Sequence, residues 1–414
     1  MTRPSVLFLT HRVPHPPNRG DRIRTFHFLQ HLAERCDVWL GCLADEPVSD
    51  ESLRVLQRLC HRVAIVPVEG RKRWLRACGS WLTGRTISEG AFQAPRLLRI
   101  VQEWAGQESF DVALCSSSAL APYFQTQPFR DTKRFVDLID VDSEKWFDYS
   151  QTTSFPKNRI FRTEAVRMRK QEAAMADWAT GITVVSEPEA NIYRAFRPDG
   201  PIQAIPNGVD INYFTPDIDR SRENGCVFVG ALDYKPNADG IIWFARTIWP
   251  EIHRQRPDQV LRIVGREPGP AVRDLDGVSG VKVVGTVPDV RPWLNGAAVA
   301  VVPLQIARGV QNKVLEALAM ARAVVASPAP LVGLHAEHGS QLFAAATPEA
   351  WVEQIVRLLD DQQLRHDIGV AGQAYVMANH RWDQCLAPLM EFLHLAEEPR
   401  QLTPSKARHA GGTP

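Results

Sequence analysis

One stretch constrains this chain more than any other, the run from Val299 to Ser327. It opens on an apolar segment, 299–304, of the kind buried on both faces of a parallel sheet. A loop holding Arg308 and Gly309 follows, and glycine lets such a turn run without a Cβ clash. A helix is expected next, with Asn312 as its N-cap and Val314, Leu315, Leu318 and Ala319 on its apolar face. A second apolar strand, 323–326, comes at once. Strand, glycine loop, helix and strand can cradle phosphate, because free N–H groups and the helix dipole converge where the helix starts. Lys313 falls in the first turn, where a cation opposes the dipole unless an anion sits beside it. Glu316, one turn on, is spaced to accept hydrogen bonds from ribose hydroxyls. The same spacing also fits an ordinary βαβ unit whose Lys313 and Glu316 are surface residues.

The 414 residues suffice for two domains of ordinary size, and 44% hydrophobic content supports full cores. A formal net charge of +1 produces no global field toward nucleic acid or an acidic partner. Seven cysteines lie scattered without CxxC spacing, so neither a disulfide framework nor a zinc site is indicated, which suits a reducing cytoplasm. The N-terminal apolar run 6–9 is too short for a signal peptide, and no segment reaches the roughly 20 apolar residues of a membrane span. The expectation is a cytoplasmic protein, soluble or peripheral on a membrane.

In chain order, 6–10 reads as a first buried strand, followed by a loop rich in breakers that ends at Gly20, where a ligand can approach the backbone. Strands are expected at 38–43, 63–68, 111–115, 135–139 and 181–186, with a long helix over about 159–179. Just past the strand 135–139 stand Asp140 and Asp142, at the carboxyl end where open α/β sheets place ligands. They can bind an acceptor hydroxyl or take its proton, while Asp142 or Ser143 also fits as a helix N-cap. Two basic stretches, 62–99 and 157–170, belong to this half. The first interleaves eight Lys and Arg with Trp74, Leu75, Trp81 and Leu82, which suits an anionic membrane surface as well as a solvated helix pair. The second half repeats strands ending in glycine, at Gly230, Gly265 and Gly285, so several strand ends share one rim. Lys235, just after the first of them, is positioned to meet a diphosphate as a point charge or to sit on the surface of a turn. Closing helices are expected at 351–359, 364–377 and 382–395. No GxGxxG follows a strand, and there is no P-loop, HExxH or GxSxG.

The segments 205–214, 227–231, 262–265, 284–289 and 312–319 together resemble glycosyltransferase family 4. The loop 18–24 and the run 137–146 look closer still to the sugar transferases associated with PEP-CTERM/exosortase exopolysaccharide systems of Gram-negative bacteria. This resemblance covers nearly all of residues 4–395. It implies a GT-B fold, two Rossmann-like α/β domains with parallel sheets facing across a cleft and a C-terminal helix crossing back. The implied division is an acceptor-binding domain over 1–205, a nucleotide-sugar domain over 206–378 and the crossing helix over 379–396; the polar tail over 397–414, which has no period, is expected to be disordered. The resemblance implies a metal-independent, usually retaining hexosyl transfer from a nucleoside diphosphate sugar to a lipid-linked or polysaccharide acceptor, on the inner face of the inner membrane. Donor contacts are expected from Gly20, Gly230, Lys235, Gly265, Arg308, Gly309, Val310, Asn312, Lys313 and Glu316. Most relatives carry two glutamates eight apart; Glu316 matches the second, and Arg308 stands at the first. Arginine there can hold diphosphate charge bidentately but cannot act as a carboxylate. A histidine common after the first-domain strand is replaced by Asp140 or Asp142. Catalytic roles are therefore expected of Asp140, Asp142, Arg308 and Glu316. Alternatives are a nucleotide-sugar epimerase or hydrolase, and a non-catalytic scaffold of a polysaccharide assembly complex.

Overall fold

The structure is a computed structural model that describes residues 3–68, 70–216 and 224–395. The tail expected to be disordered, 397–414, lies outside the described residues. In the first half, strands and helices alternate: β1 (Ser5–Thr10), α1 (Gly20–Ala33), β2 (Asp37–Ala44), α2 (Asp50–Leu59) and β3 (Arg62–Pro67). Three helices follow, α3 (Gly70–Leu82), α4 (Ile87–Phe92) and α5 (Pro95–Ala105), then β4 (Val112–Ser116). The half ends with β5 (Lys133–Ile139), α6 (Asp142–Thr152), α7 (Lys157–Met175), β6 (Gly181–Val184), α8 (Glu187–Phe196) and β7 (Ile202–Ala204).

The second half begins with β8 (Cys226–Val229), α9 (Lys235–Trp243), α10 (Trp249–Gln255), β9 (Leu261–Val264), α11 (Pro270–Arg273) and β10 (Val281–Gly285). It continues through α12 (Arg291–Asn295), β11 (Val299–Val302), α13 (Asn312–Ala319), β12 (Ala323–Ala326) and β13 (Phe343–Ala344). Four helices close the chain, α14 (Pro348–Asp360), α15 (Gln362–Asn379), α16 (Trp382–Cys385) and α17 (Ala387–Phe392).

Each half forms its own parallel sheet. The first has the order β3-β2-β1-β4-β5-β6-β7 and the second β10-β9-β8-β11-β12-β13. β1, β4, β11 and β12 are buried along their whole length, because helices cover both sheet faces and leave no polar side to alternate with. The two halves are therefore Rossmann-like layers of the expected class. Strand order reverses between β1 and β4 in one sheet and between β8 and β11 in the other. Such reversals open a crevice at the carboxyl ends of the strands.

Ser186 caps α8 as its position suggests, its hydroxyl accepting from Glu189 N. Three local expectations are corrected. Asn312 is the first residue of α13 rather than its N-cap, which is Gln311, and its side-chain oxygen instead accepts from Asn207. Asp142 opens α6 after an N-cap at Val141, so neither Asp142 nor Ser143 caps it. The last helix is two, because Pro388 supplies no N–H to continue the ladder across Leu386.

Those last helices leave the second half and complete the first. Trp382, Leu386, Leu389, Met390 and Leu393 are buried in the same cluster as Val6, Phe8, Phe28 and Val112. Full burial of a leucine such as Leu389 or Leu393 contributes roughly 1.5–3 kcal/mol. The outgoing and returning segments meet at Asn207 and Gly208. Val209 N donates to His380 O at 2.7 Å, and a Cβ on Gly208 would lie 2.7 Å from Trp382 N. Beneath them, wholly buried Arg24 holds Asp137 through Nη2 at 2.8 Å and also donates to Ile205 O and Asn207 Oδ1.

Candidate active site

Both crevices open onto one cleft, and the sequence explains much of its first-domain wall. β5 ends at Ile139, whose φ of 70° is unusual for a β-branched residue, and its pairing with β6 shifts register there. Such a conformation costs on the order of 1–3 kcal/mol and persists only when its surroundings fix it. Here Val185 N donates to Ile139 O at 2.8 Å, and Val141 N donates to the Glu189 carboxylate at 2.8 Å. The kink carries Asp140 toward the second domain. A Cβ on Gly309 would lie 2.5 Å from Asp140 Oδ1 and 2.6 Å from Val185 Cγ2, and Gly309 has φ 60°. Only glycine lets the loop approach this closely in this conformation.

Asp140 Oδ1 is buried and has no hydrogen-bond partner among the described residues. Burial, followed by the carboxylates of Glu189 and Asp142, lifts the Asp140 pKa to about 7, against the charges of Lys145 and Arg24. Asp142 points to a different partner, accepting from Ser118 Oγ at 3.3 Å. Below it, burial pushes Glu172 to about 8 while Ser143 donates to it through N and Oγ, anchoring the start of α6.

Arg308 spans the cleft. Its Nε and Nη2 donate to Asp148 Oδ2 at 3.1 and 2.7 Å, with Glu144 at 3.7 Å and Glu189 at 3.9 Å. Burial opposes its charge, but the Asp148 hydrogen bond and the three carboxylates outweigh that and raise its pKa. Arg308 is thus held by Asp148 through Nε and Nη2, while Nη1 makes only the longer approach to Glu189. Gln311 braces the loop, donating to Arg308 O at 2.7 Å and accepting from Lys313 Nζ at 3.2 Å. Val310 is buried beneath it.

On α13, Lys313 and Glu316 form a coupled pair. Burial lowers Lys313 to about 8 and raises Glu316 to about 7, each opposed by the other's charge. Both are partly buried rather than solvated surface groups. Asn312 Nδ2 is buried without a partner among the described residues. So are Asn237 Oδ1 on α9 and Arg266 Nε past β9, near the carboxyl ends of the second sheet.

Lys235 is not drawn into this group. Its ammonium is exposed and paired with Asp239 on the same helix. The neighbouring Tyr234 instead faces the first domain, where Lys145 and Tyr149 bear on its phenol. Gly20 leaves open space where a Cβ would stand, at the start of α1. Gly265 has a packing reason to be glycine, since its Cβ would overlap Gly230 O, whereas a Cβ on Gly230 would stand 3.1 Å from the Asn237 and Phe228 side chains.

Sequence reasoning missed Asp148, Glu189, Lys145, Tyr234 and Gln311, which carry no motif, and Arg19 with Arg266. Arg19 belongs to the first-domain loop; burial and then the like charge of Arg12 lower its pKa against Asp21, with a lesser effect of Arg266, which itself pairs with Asp233 at 3.2 Å. The only available signal was their position just past predicted strands. Among the described residues no group of three His, Cys, Asp or Glu converges to hold a metal ion, and no helix is long and apolar enough to cross a membrane.

Residues 223–361 match the family of glycosyl transferases group 1. The whole chain superposes on solved structures at low identity. Sucrose-phosphate synthase from Thermosynechococcus elongatus matches at 16% identity and TM-score 0.72, covering 95% of this chain and 98% of that one. HepE from Anabaena, solved with UDP-glucose, matches at 16% identity and TM-score 0.65, covering 95% and 100%. TarM, known also from S. aureus in complex with UDP, matches at 10% identity and TM-score 0.68, covering 95% and 99%. These likenesses identify the fold as GT-B. With a glycosyl transferases group 1 domain carried on that frame, the chain is a glycosyltransferase.

Proposed function

From that premise we propose that the protein transfers a hexose from a nucleoside diphosphate sugar to a lipid-linked or polysaccharide acceptor in exopolysaccharide assembly, with retention and without a metal. The observation that carries this reading is the contact at Gly309. It joins the cation-bearing loop at the second sheet's reversal to Asp140 at the carboxyl end of the first sheet. Lys313 and the start of α13 hold the diphosphate, and Glu316 accepts from ribose. Leaving-group charge is met by Lys313 and by Arg308. Asp140, neutral or ionised near pH 7, accepts the acceptor hydroxyl's hydrogen bond, and Asp142 orients its neighbour. The resemblance to exosortase-associated sugar transferases and to family 4 supports the exopolysaccharide setting and the retaining outcome.

The surface of the first domain supports a cytoplasmic protein held peripherally on an anionic membrane. Trp74, Leu75 and Leu82 of α3 are 62%, 73% and 79% exposed. Arg71 and Lys72 flank them, and Arg167 of α7 ties the two helices by donating to Trp81 O at 2.6 Å. Exposed tryptophan and leucine beside cations match a headgroup layer. Flotation with phosphatidylglycerol vesicles is expected, and lost when Arg71 and Lys72 become Gln and Trp74 becomes Ser.

Calorimetry with a panel of nucleoside diphosphates, followed by product mass analysis with and without a membrane extract, tests the transfer. Binding of one diphosphate, weakened roughly tenfold or more by Lys313→Met, and a glycosylated product only with acceptor are expected. Donor conversion without acceptor would instead identify an epimerase or hydrolase. Binding without turnover in any extract would favour the scaffold.

A further inference from the structure

The first domain contains a second cavity that the transfer reading does not use. It has a volume of about 540 Å³, within the roughly 300–1,000 Å³ typical of small-molecule sites. It lies between α3, α4 and α5 on one side and α7 on the other, roofed by the turn of residues 121–126. Its walls divide by chemistry. Leu98, Ala121, Met175 and Trp178 form an apolar interior, while Arg76 and Arg85 stand at the α3–α4 side.

The two arginines are not equivalent. Arg85 Nη1 donates to Glu89 at 3.2 Å, and Gln93 donates to the same carboxylate oxygen at 3.4 Å, so that acid is already engaged. Arg76 Nε is buried and has no hydrogen-bond partner among the described residues, and neither has Trp178 Nε1 in the turn after α7. An arginine, Arg76, standing beside Leu98, Met175 and Trp178 in a cavity whose other lining includes uncharged polar groups such as Gln125 and Gln171, calls for a ligand with an anionic oxygen-rich head and an apolar body.

The cavity's position narrows the source of such a ligand. α3 contributes Arg76 to the cavity and, from its outer face, the exposed Trp74, Leu75 and Leu82. Its other neighbour leads toward the cleft: Gln93 of the lining follows Phe92, whose ring packs edge-on against His11 at 5.6 Å, just past β1. Arg73 covers the same Phe92 ring at 4.8 Å. The cavity thus sits between an apolar, cationic surface and the first-domain side of the cleft.

We infer that this cavity binds a phosphate-headed lipid, its phosphate held by Arg76 and its hydrocarbon chain lying against Leu98, Met175 and Trp178. The lipid comes from the bilayer or from an isoprenoid phosphate carrier. Only the second source rests on the transfer reading, since binding itself needs no sugar donor.

Dodecyl phosphate below its micellar concentration serves as the probe, added to the full chain and followed by calorimetry and Trp fluorescence. Saturable one-to-one binding is expected, with inorganic phosphate and dodecyl maltoside each binding at least about tenfold more weakly. Arg76→Gln removes the head contact. Ala174→Trp fills the mouth from an exposed position where the fold tolerates bulk. Each is expected to weaken dodecyl phosphate by roughly tenfold or more while leaving nucleoside diphosphate affinity and the circular dichroism melt unchanged. Absence of saturable binding, or binding that survives both substitutions, would overturn the site even if sugar transfer is confirmed. Flotation on phosphatidylglycerol vesicles with and without undecaprenyl phosphate then separates the sources. Tighter flotation with the carrier that Arg76→Gln abolishes assigns the site to the isoprenoid, and equal flotation with loss in Arg76→Gln assigns it to phospholipid.

Discussion

Replacing Gly309 by alanine tests the cleft directly, because this second-domain residue packs against Asp140 and Val185 of the first. The new Cβ would lie 2.5 Å from Asp140 Oδ1 and 2.6 Å from Val185 Cγ2. Alanine in a left-handed conformation costs roughly 1–2 kcal/mol, and φ there is 60°. Forcing a methyl into a closely packed contact adds about 1–3 kcal/mol. The total, about 2 to 5 kcal/mol, falls on the closed arrangement and not on either domain's own core. Donor binding that uses the closed cleft is then weakened by at least roughly thirtyfold. Calorimetry with the preferred nucleoside diphosphate measures this, and small-angle scattering reads the domain separation. An unchanged affinity with an unchanged scattering radius would refute the close contact and the role assigned to it.

Four further outcomes follow from the structure. In a double-mutant cycle, Arg308→Ala and Asp148→Ala should show a coupling of about 1 kcal/mol in urea unfolding, since both side chains are under a third exposed at 23% and 29%; zero coupling would mean the bridge is not formed in solution. Asp140 has a folded pKa of about 7, above its ordinary value, so its protonated form stabilises the fold at low pH and that contribution is lost as pH rises through 7. Asp140→Asn should therefore raise the melting temperature at pH 8 more than at pH 4 while abolishing transfer, and equal shifts at both pH values would contradict its burial. Diphosphate affinity should decline above about pH 8, where Lys313 loses its proton, and Lys313→Arg should move that decline to higher pH. Gly208→Ala should separate the outgoing and returning segments at Trp382 and lower stability by about 1–3 kcal/mol, read by denaturant unfolding.

Much of the architecture was legible in the chain. Uninterrupted apolar runs such as 6–10 and 299–302 signal strands covered on both faces, and helices between them force a parallel sheet. Gly309, Lys313 and Glu316 could be picked out because a strand–loop–helix unit places them at a helix start by local spacing alone. Lys235 followed the same logic and was placed correctly in sequence, yet its side chain turned to Asp239, a choice made by rotamer and local charge. The split of the last helix was written in Pro388 and passed over.

What no local pattern contains is the partnership across the cleft. Arg308 meets Asp148 from 160 residues away, and Asp140 comes under Gly309 only because Ile139 is held at a positive φ. Spacing along a chain encodes which atoms lie within one or two turns of each other. Burial, the absence among the described residues of a partner for Asp140 Oδ1, and the resulting shift in a carboxyl's proton affinity depend on every element packed around the group, and those are assembled only when both sheets are in place.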